Sequence, residues 1–138
     1  MKGEDQRPIK VLIAESDQVL ADLYRTALEP NGWDVEVVHD GGSALSRIQR
    51  SPPDVLMVNG LPDIDAFTLV ERVRANPSTH RLVIIVLLDS VSNLDVKRVR
   101  KLDVQAWLSK TRTTREELST TIGRLVGQLV TGQNRDKA

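Results

Sequence analysis

The side chains of this chain that could do chemistry are few, and their types narrow the options. There is no cysteine, which excludes disulfides, thiolate metal centres and a cysteine nucleophile. His39 and His80 supply the imidazoles, and neither has a matching ligand or nucleophile at useful spacing, so both read as surface or loop residues and no zinc site is expected. What remains is a set of polar residues placed directly after short aliphatic runs: Glu15-Ser16-Asp17, Asn59, Leu88-Asp89-Ser90 and Ser109-Lys110. Carboxylates, amides, hydroxyls and an ammonium bind ions and hold protons. No glycine-rich phosphate loop follows the first run.

These residues matter only if the chain brings them together, and its periodicity says that it does. Ile9 to Ala14, Val35 to Val38, Val55 to Val58 and Leu82 to Leu88 read as strands, with Ala106-Trp107-Leu108 as a shorter fifth. The third and fourth are apolar throughout, as in a parallel sheet covered on both faces, whereas Val35 to Val38 alternates like an edge strand. Between them, Val19, Leu20, Leu23, Ala27 and Leu28 form a helical stripe after Asp17, an N-cap candidate, and stop at Pro30-Asn31-Gly32. Ala44, Leu45 and Ile48 mark a second helix between Gly41-Gly42 and Ser51-Pro52-Pro53. Phe67, Leu69, Val70 and Val73 mark a third, capped by Asp65 and ended by Asn76-Pro77. A fourth spans Ser92 to Lys101, and a fifth starts near Arg115 with Leu118, Ile122, Leu125 and Leu129 on one stripe, weakened by Gly123 and Gly127. The βα alternation predicts an α/β fold, a (βα)5 doubly wound parallel five-stranded sheet. In such sheets the reaction site lies at the carboxyl ends of the strands, where the polar residues stand.

Composition sets the outer bounds. A chain of 138 residues suits one domain, and nineteen Lys/Arg against nineteen Asp/Glu give zero net charge, with no global pull toward nucleic acid or anionic membrane. The balance is uneven along the chain. From Ser90 to Arg115 there are seven basic residues, Lys97, Arg98, Arg100, Lys101, Lys110, Arg112 and Arg115, against Asp95 and Asp103. Tyr24, Trp33, Phe67 and Trp107 are too scattered to form a stacking platform for single-stranded nucleic acid. No apolar stretch has signal-peptide or membrane-spanning length, so a cytoplasmic protein without a membrane partner is expected.

Five segments together resemble the receiver domain of bacterial two-component response regulators, over roughly Ile9 to Gly127: Val11-Leu12-Ile13-Ala14-Glu15-Ser16-Asp17, Asp40-Gly41-Gly42-Ser43-Ala44-Leu45, Pro53-Asp54-Val55-Leu56-Met57-Val58-Asn59, Leu61-Pro62-Asp63-Ile64-Asp65-Ala66-Phe67 and Ala106-Trp107-Leu108-Ser109-Lys110. The resemblance implies phosphoryl transfer to an aspartate at the end of the third strand, with Mg²⁺ held by the acidic cluster and a lysine and a hydroxyl binding the product. In this chain Asn59 stands at the acceptor position, and its amide is a poor nucleophile. Ser16 replaces one acid and leaves Glu15 with Asp17. Leu88-Asp89 stands where the family has Ser or Thr before a small residue, Pro62 comes one residue early, Ala66 replaces a glycine, and Thr111 follows Lys110 in place of proline. These coincident departures read as a pseudo-receiver with no catalytic residue.

On that reading the chain is not an enzyme and needs no cofactor; Glu15, Asp17 and the Asn59 amide make a weak Mg²⁺ site at best. Lys110 reads as a cation held by Glu15 or Asp89 rather than as a phosphate ligand. Asp63 reads as a loop turn, Asp65 as a helix cap and Asp89 as a partner of Lys110. Trp107 replaces the family's swinging Tyr or Phe, leaving packing or partner binding as its uses. An interaction surface is expected around Lys97, Arg98, Arg100, Lys101, Trp107, Arg112 and Arg115, for a kinase, an output domain, another receiver or a second copy, and not for nucleic acid. The rivals are a receiver phosphorylated at a non-standard acidic residue and a small-molecule carrier of flavodoxin-like fold. Residues 1–8 are read as an N-terminal tail, 9–129 as the receiver-like domain and 130–138 as a C-terminal tail or truncated linker.

Overall fold

A computed structural model describes residues 8–79, 81–88, 97, 100–109 and 113–131. The described elements are β1 (Lys10–Ala14), α1 (Gln18–Leu28), a 3-10 turn (Glu29–Asn31), β2 (Asp34–Val38), α2 (Gly41–Arg50), β3 (Val55–Val58), α3 (Ala66–Ala75), β4 (Val83–Leu88), β5 (Ala106–Ser109) and α4 (Arg115–Thr131). The helix expected over Ser92 to Lys101 lies largely outside the described residues; Lys97, Arg100 and Lys101, which are described, are helical and exposed.

All strands pair in parallel in the order β2-β1-β3-β4-β5. After β1 the chain turns outward to β2, then crosses back to β3 on the other side, so β1 and β3 flank the topological switch point. The alternating β2 lies at an edge, as its pattern predicts. Because side chains alternate along a strand, the sheet divides the core in two. Leu12, Leu56, Val58, Ile84 and Val86 pack against α2 and α3, and Val11, Ile13, Val55, Met57, Val83, Ile85 and Leu87 pack against α1 and α4.

The helix boundaries follow local chemistry. Asp17 caps α1, its Oδ1 accepting from the amides of Val19 and Leu20 at 2.9 and 3.1 Å. Asp65 caps α3 through the Thr68 amide, and Gly32, with φ of 84°, closes the turn after α1. Two expectations need correction. The buried face of α1 is formed by Ala21, Tyr24 and Leu28, while Val19 and Leu23 are exposed; the helix is rotated so that Tyr24 spans from α1 to the sheet. Gly41 and Gly42 do not precede α2 but form its first turn, with Asp40 as cap accepting from the Ser43 amide at 2.7 Å. α4 runs without interruption through Gly123 and Gly127, and a Cβ on Gly123 would reach the Trp33 ring at ordinary contact distance.

At the opposite end of the sheet from the strand carboxyl termini, Arg74 joins three segments. Its guanidinium donates to the carbonyls of Leu82 (2.7 Å), Leu102 (3.0 Å) and Asp103 (2.9 Å) and to Gln105 Oε1 (3.1 Å). Gln105 in turn exchanges hydrogen bonds with the Ile84 backbone. Asp103 sits at a φ of 56°, and its carbonyl is one of those Arg74 reaches. Burial pulls the Arg74 guanidinium below its usual range, with the charge of Asp103 opposing. Arg74→Met keeps the aliphatic stem and removes the donors, so urea unfolding should show a loss of about 2 kcal/mol, the usual scale for hydrogen bonds from a charged donor; an unchanged midpoint would refute the role.

Candidate functional site

The carboxyl ends of β1 and β3 are in register, Ala14 beside Val58, so the next residue on each strand meets the other. These are Glu15 and Asn59, both buried, with exposures of 1% and 3%. The Asn59 amide Nδ2 donates to Glu15 Oε1. Glu15 Oε2 accepts from the Asp17 amide at 2.9 Å, and Asn59 Oδ1 accepts from the Gly60 amide at 2.8 Å. The backbones are fixed too: the Glu15 amide donates to Val38 O and the Asn59 amide to Ala14 O, each at 3.0 Å. Each side-chain oxygen and nitrogen of the pair thus has a partner, which is what makes burial of a carboxylate tolerable.

The rest of the acidic cluster is occupied with structure. Asp17 is committed to the α1 cap. Ser16 is exposed and its hydroxyl donates to the Gly60 carbonyl at 3.2 Å. His39 is exposed as expected, yet its Nδ1 lies 2.9 Å from the Glu15 carbonyl, so that nitrogen carries the proton. A hard divalent cation needs several free anionic oxygens. Here Glu15 already accepts twice, Asp17 is turned into its helix, and Asn59 contributes a neutral amide; the donor set does not fit Mg²⁺. Among the described residues, no three His, Cys, Asp or Glu side chains converge on one point.

Asp63 does more than make a turn. Its two carboxylate oxygens accept from the Gly41 and Gly42 amides at 2.8 and 3.0 Å, so the loop after β3 is clamped to the N-terminus of α2, where the helix dipole favours a negative charge. The approach is so close that a Cβ on Gly41 would fall 1.8 Å from Ile64 Cγ2. Sequence reading passed over this clamp; the signal that could have found it is the pair of glycines directly after the Asp40 cap.

The remaining predicted site residues are spread along the far strands. Leu88 ends β4 and pairs with Ser109, and Trp107 pairs with Val86 on β5, the other edge strand. Asp89, Arg98, Lys110 and Arg112 lie outside the described residues, as does His80, so the pairing expected for Lys110 does too. Arg115 opens α4 and is exposed, beside a small groove lined by Leu20, Leu23, Tyr24, Leu87, Thr113 and Leu118.

A five-stranded parallel sheet of order β2-β1-β3-β4-β5 with a buried polar pair at its switch point defines a flavodoxin-like α/β domain. Within that class the match is specific: the family model for the response regulator receiver domain covers residues 11–122, and the chain belongs to that family. It is 38% identical over 88 residues to the transcriptional regulatory protein TrcR of Mycobacterium tuberculosis, a match over 63% of this chain and 34% of that protein. It is 35% identical over 79 residues to the phosphate regulon transcriptional regulatory protein PhoB of Rhizobium meliloti, covering 56% and 35% respectively. The chain therefore spans about a third of these curated relatives. Among solved structures, the chemotaxis response regulator CheY4 of Vibrio cholerae superposes with a TM-score of 0.79 at 24% identity, over 86% of this chain and 98% of that one. Among the described residues no helix is long and apolar enough to cross a membrane.

Hydrogen bonds from the Gly41 and Gly42 amides hold the exposed Asp63 carboxyl below the usual carboxylate range. A lowered folded-state value means the clamp stabilises above the unfolded carboxyl pKa and is lost as pH falls through the folded one. Asp63→Asn should unfold at lower urea than wild type at neutral pH, and the two midpoints should converge in acid below the usual Asp range; a gap that persists there would show that the carboxylate charge is not its source.

Proposed function

We propose that this receiver domain works without phosphorylation, as a protein–protein interaction module in a two-component signalling pathway. The observation that carries the reading is the buried Asn59 amide donating to buried Glu15: a neutral donor sits where the family resemblance implies an anionic acceptor, and it satisfies the carboxylate that a cation would otherwise neutralise. Two of the acids that could substitute have other duties, Asp63 on the α2 amides and Asp65 on the α3 cap, which speaks against phosphorylation at either. No catalytic or cofactor role is assigned to any residue, and the flavodoxin-like carrier reading gains no feature in its favour.

The interaction surface is placed on the basic segment. Lys97, Arg100, Lys101 and Arg115 are exposed, and Arg98, Lys110 and Arg112 extend the charge in sequence. An excess of cations along one stretch of a neutral chain favours an acidic protein surface, supplied by a kinase, an output domain, another receiver or a second copy. The expectation that nucleic acid plays no part gains no support, since TrcR and PhoB are named as transcriptional regulators. The receiver unit is taken as residues 9–129, in the cytoplasm.

Incubation with acetyl phosphate and Mg²⁺ followed by intact-mass measurement should give no stable adduct of about 80 Da, one phosphoryl group; a stoichiometric adduct would overturn the proposal. Reversing Lys97, Arg100 and Lys101 to Glu should abolish partner capture that the wild type shows at low salt, with wild-type capture weakening as salt shortens the screening length to below about 8 Å. Equal recovery by both proteins would move the interface elsewhere.

A further inference from the structure

The chain contains two Asn-Gly pairs, Asn31-Gly32 and Asn59-Gly60, and the fold treats them differently. An asparagine followed by glycine is the arrangement in which the next backbone nitrogen attacks the side-chain amide most readily, because glycine has no Cβ to shield that nitrogen. At Asn31 the nucleophile is withdrawn: the Gly32 amide donates to the Glu29 carbonyl at 2.9 Å, and Asn31 Nδ2 is held by the Leu28 carbonyl and the Ser119 hydroxyl, neither of them an acid. At Asn59 the Gly60 amide donates at 2.8 Å to Oδ1 of the very side chain it would attack, so its bond holds the nitrogen beside that amide instead of drawing it away; both glycines are exposed, and a Cβ built on either meets nothing within 4 Å. The group that must leave, Nδ2, is hydrogen-bonded to the carboxyl of buried Glu15.

We propose that Asn59 is a self-deamidation site in the folded protein, with the Gly60 backbone nitrogen as nucleophile and Glu15 as the proton carrier to the departing ammonia. Small changes in the Asn59 ψ angle and in rotation about its Cα–Cβ bond bring Cγ onto the Gly60 nitrogen, whose hydrogen bond to Oδ1 is given up as they do. The N–Cγ bond forms and the Cγ–Nδ2 bond breaks. The proton released from the Gly60 nitrogen is returned to Nδ2 through water and the Glu15 carboxyl, and ammonia leaves behind a five-membered imide. Water then opens the imide at either carbonyl to give aspartate or isoaspartate. The balance is one water consumed and one ammonia released, with no change of oxidation state and a mass gain of about one dalton. The product replaces a donor to Glu15 with a second carboxylate, so the pair must share a proton or draw in a cation, and the neutral latch at the end of β1 and β3 is lost.

The inference goes beyond the reading of the previous subsection. An Asn59 that never converts leaves that reading intact, and one that converts confines it to the freshly made chain. The test ages the full chain at neutral pH in native buffer and, separately, in urea, and follows both Asn-Gly sites by peptide mass mapping with aspartate and isoaspartate resolved. In urea the two sites should convert at equal rates. In native buffer Asn59 should convert about tenfold faster than Asn31, and Glu15→Gln should slow Asn59 by about tenfold while leaving Asn31 unchanged, the scale expected for losing a proton carrier. Circular dichroism establishes that this variant is folded; should it not fold, the native comparison of the two sites in the wild type decides alone. Conversion of native Asn59 no faster than native Asn31, or a folded Glu15→Gln that converts at the wild-type rate, would overturn the proposal.

Discussion

The hydrogen bond between the Asn59 amide and the Glu15 carboxylate is the constraint on which the rest of this end of the molecule depends. A buried carboxylate is unfavourable by several kcal/mol unless its oxygens are engaged. One oxygen takes the Asn59 amide and the other the backbone of Asp17, which fixes where the chain leaves β1 and so where Asp17 begins α1. Asn59 in turn holds the Gly60 amide and sets the direction of the loop that ends on α2. Strand pairing, helix start and loop path are thereby tied to one neutral donor, with no ion needed to hold the carboxylate and its neighbours together.

Much of this fold is legible in the sequence because it rests on local rules. Apolar runs at Val55 to Val58 and Leu82 to Leu88 could only be strands covered on both faces, and Asp17 and Asp65 announced their helices. The rotation of α1 was not legible, since Val19 and Leu23 fit the same periodicity as Tyr24 and only the packing against α4 decides between them. At the site, Asn59 and Glu15 could be singled out one at a time, whereas their direct contact depends on the register of β1 with β3, a non-local fact. Asp63 and Arg74 escaped for the same reason. Their partners are backbone groups at distant positions, and a backbone amide or carbonyl leaves no mark on residue type.

The two halves of the core share only the sheet between them. Leu12 and Val58 face α2 and α3, while Ile13 and Met57 face α1 and α4, so the strands that end at Glu15 and Asn59 are packed from both sides by different helices. A change at Glu15 or Asn59 is felt first through the strands. The exposed Lys97, Arg100 and Lys101 fall between β4 and β5 in sequence and Arg115 opens α4, and β4 pairs with β3, the strand that Asn59 directly follows.

The clamp of Asp63 on α2 also makes the length of the loop after β3 a fixed quantity. Gly41 touches Ile64 so closely that no side chain fits between them, and both Asp63 oxygens are spent on successive amides. One added residue would carry Asp63 about 3.8 Å along the chain, a full Cα step, which no hydrogen bond survives. Surface loops are ordinarily where chains absorb insertions; this one acts as a ruler between strand and helix, and a longer loop would have to find a different anchor before the helix it steadies could keep its place.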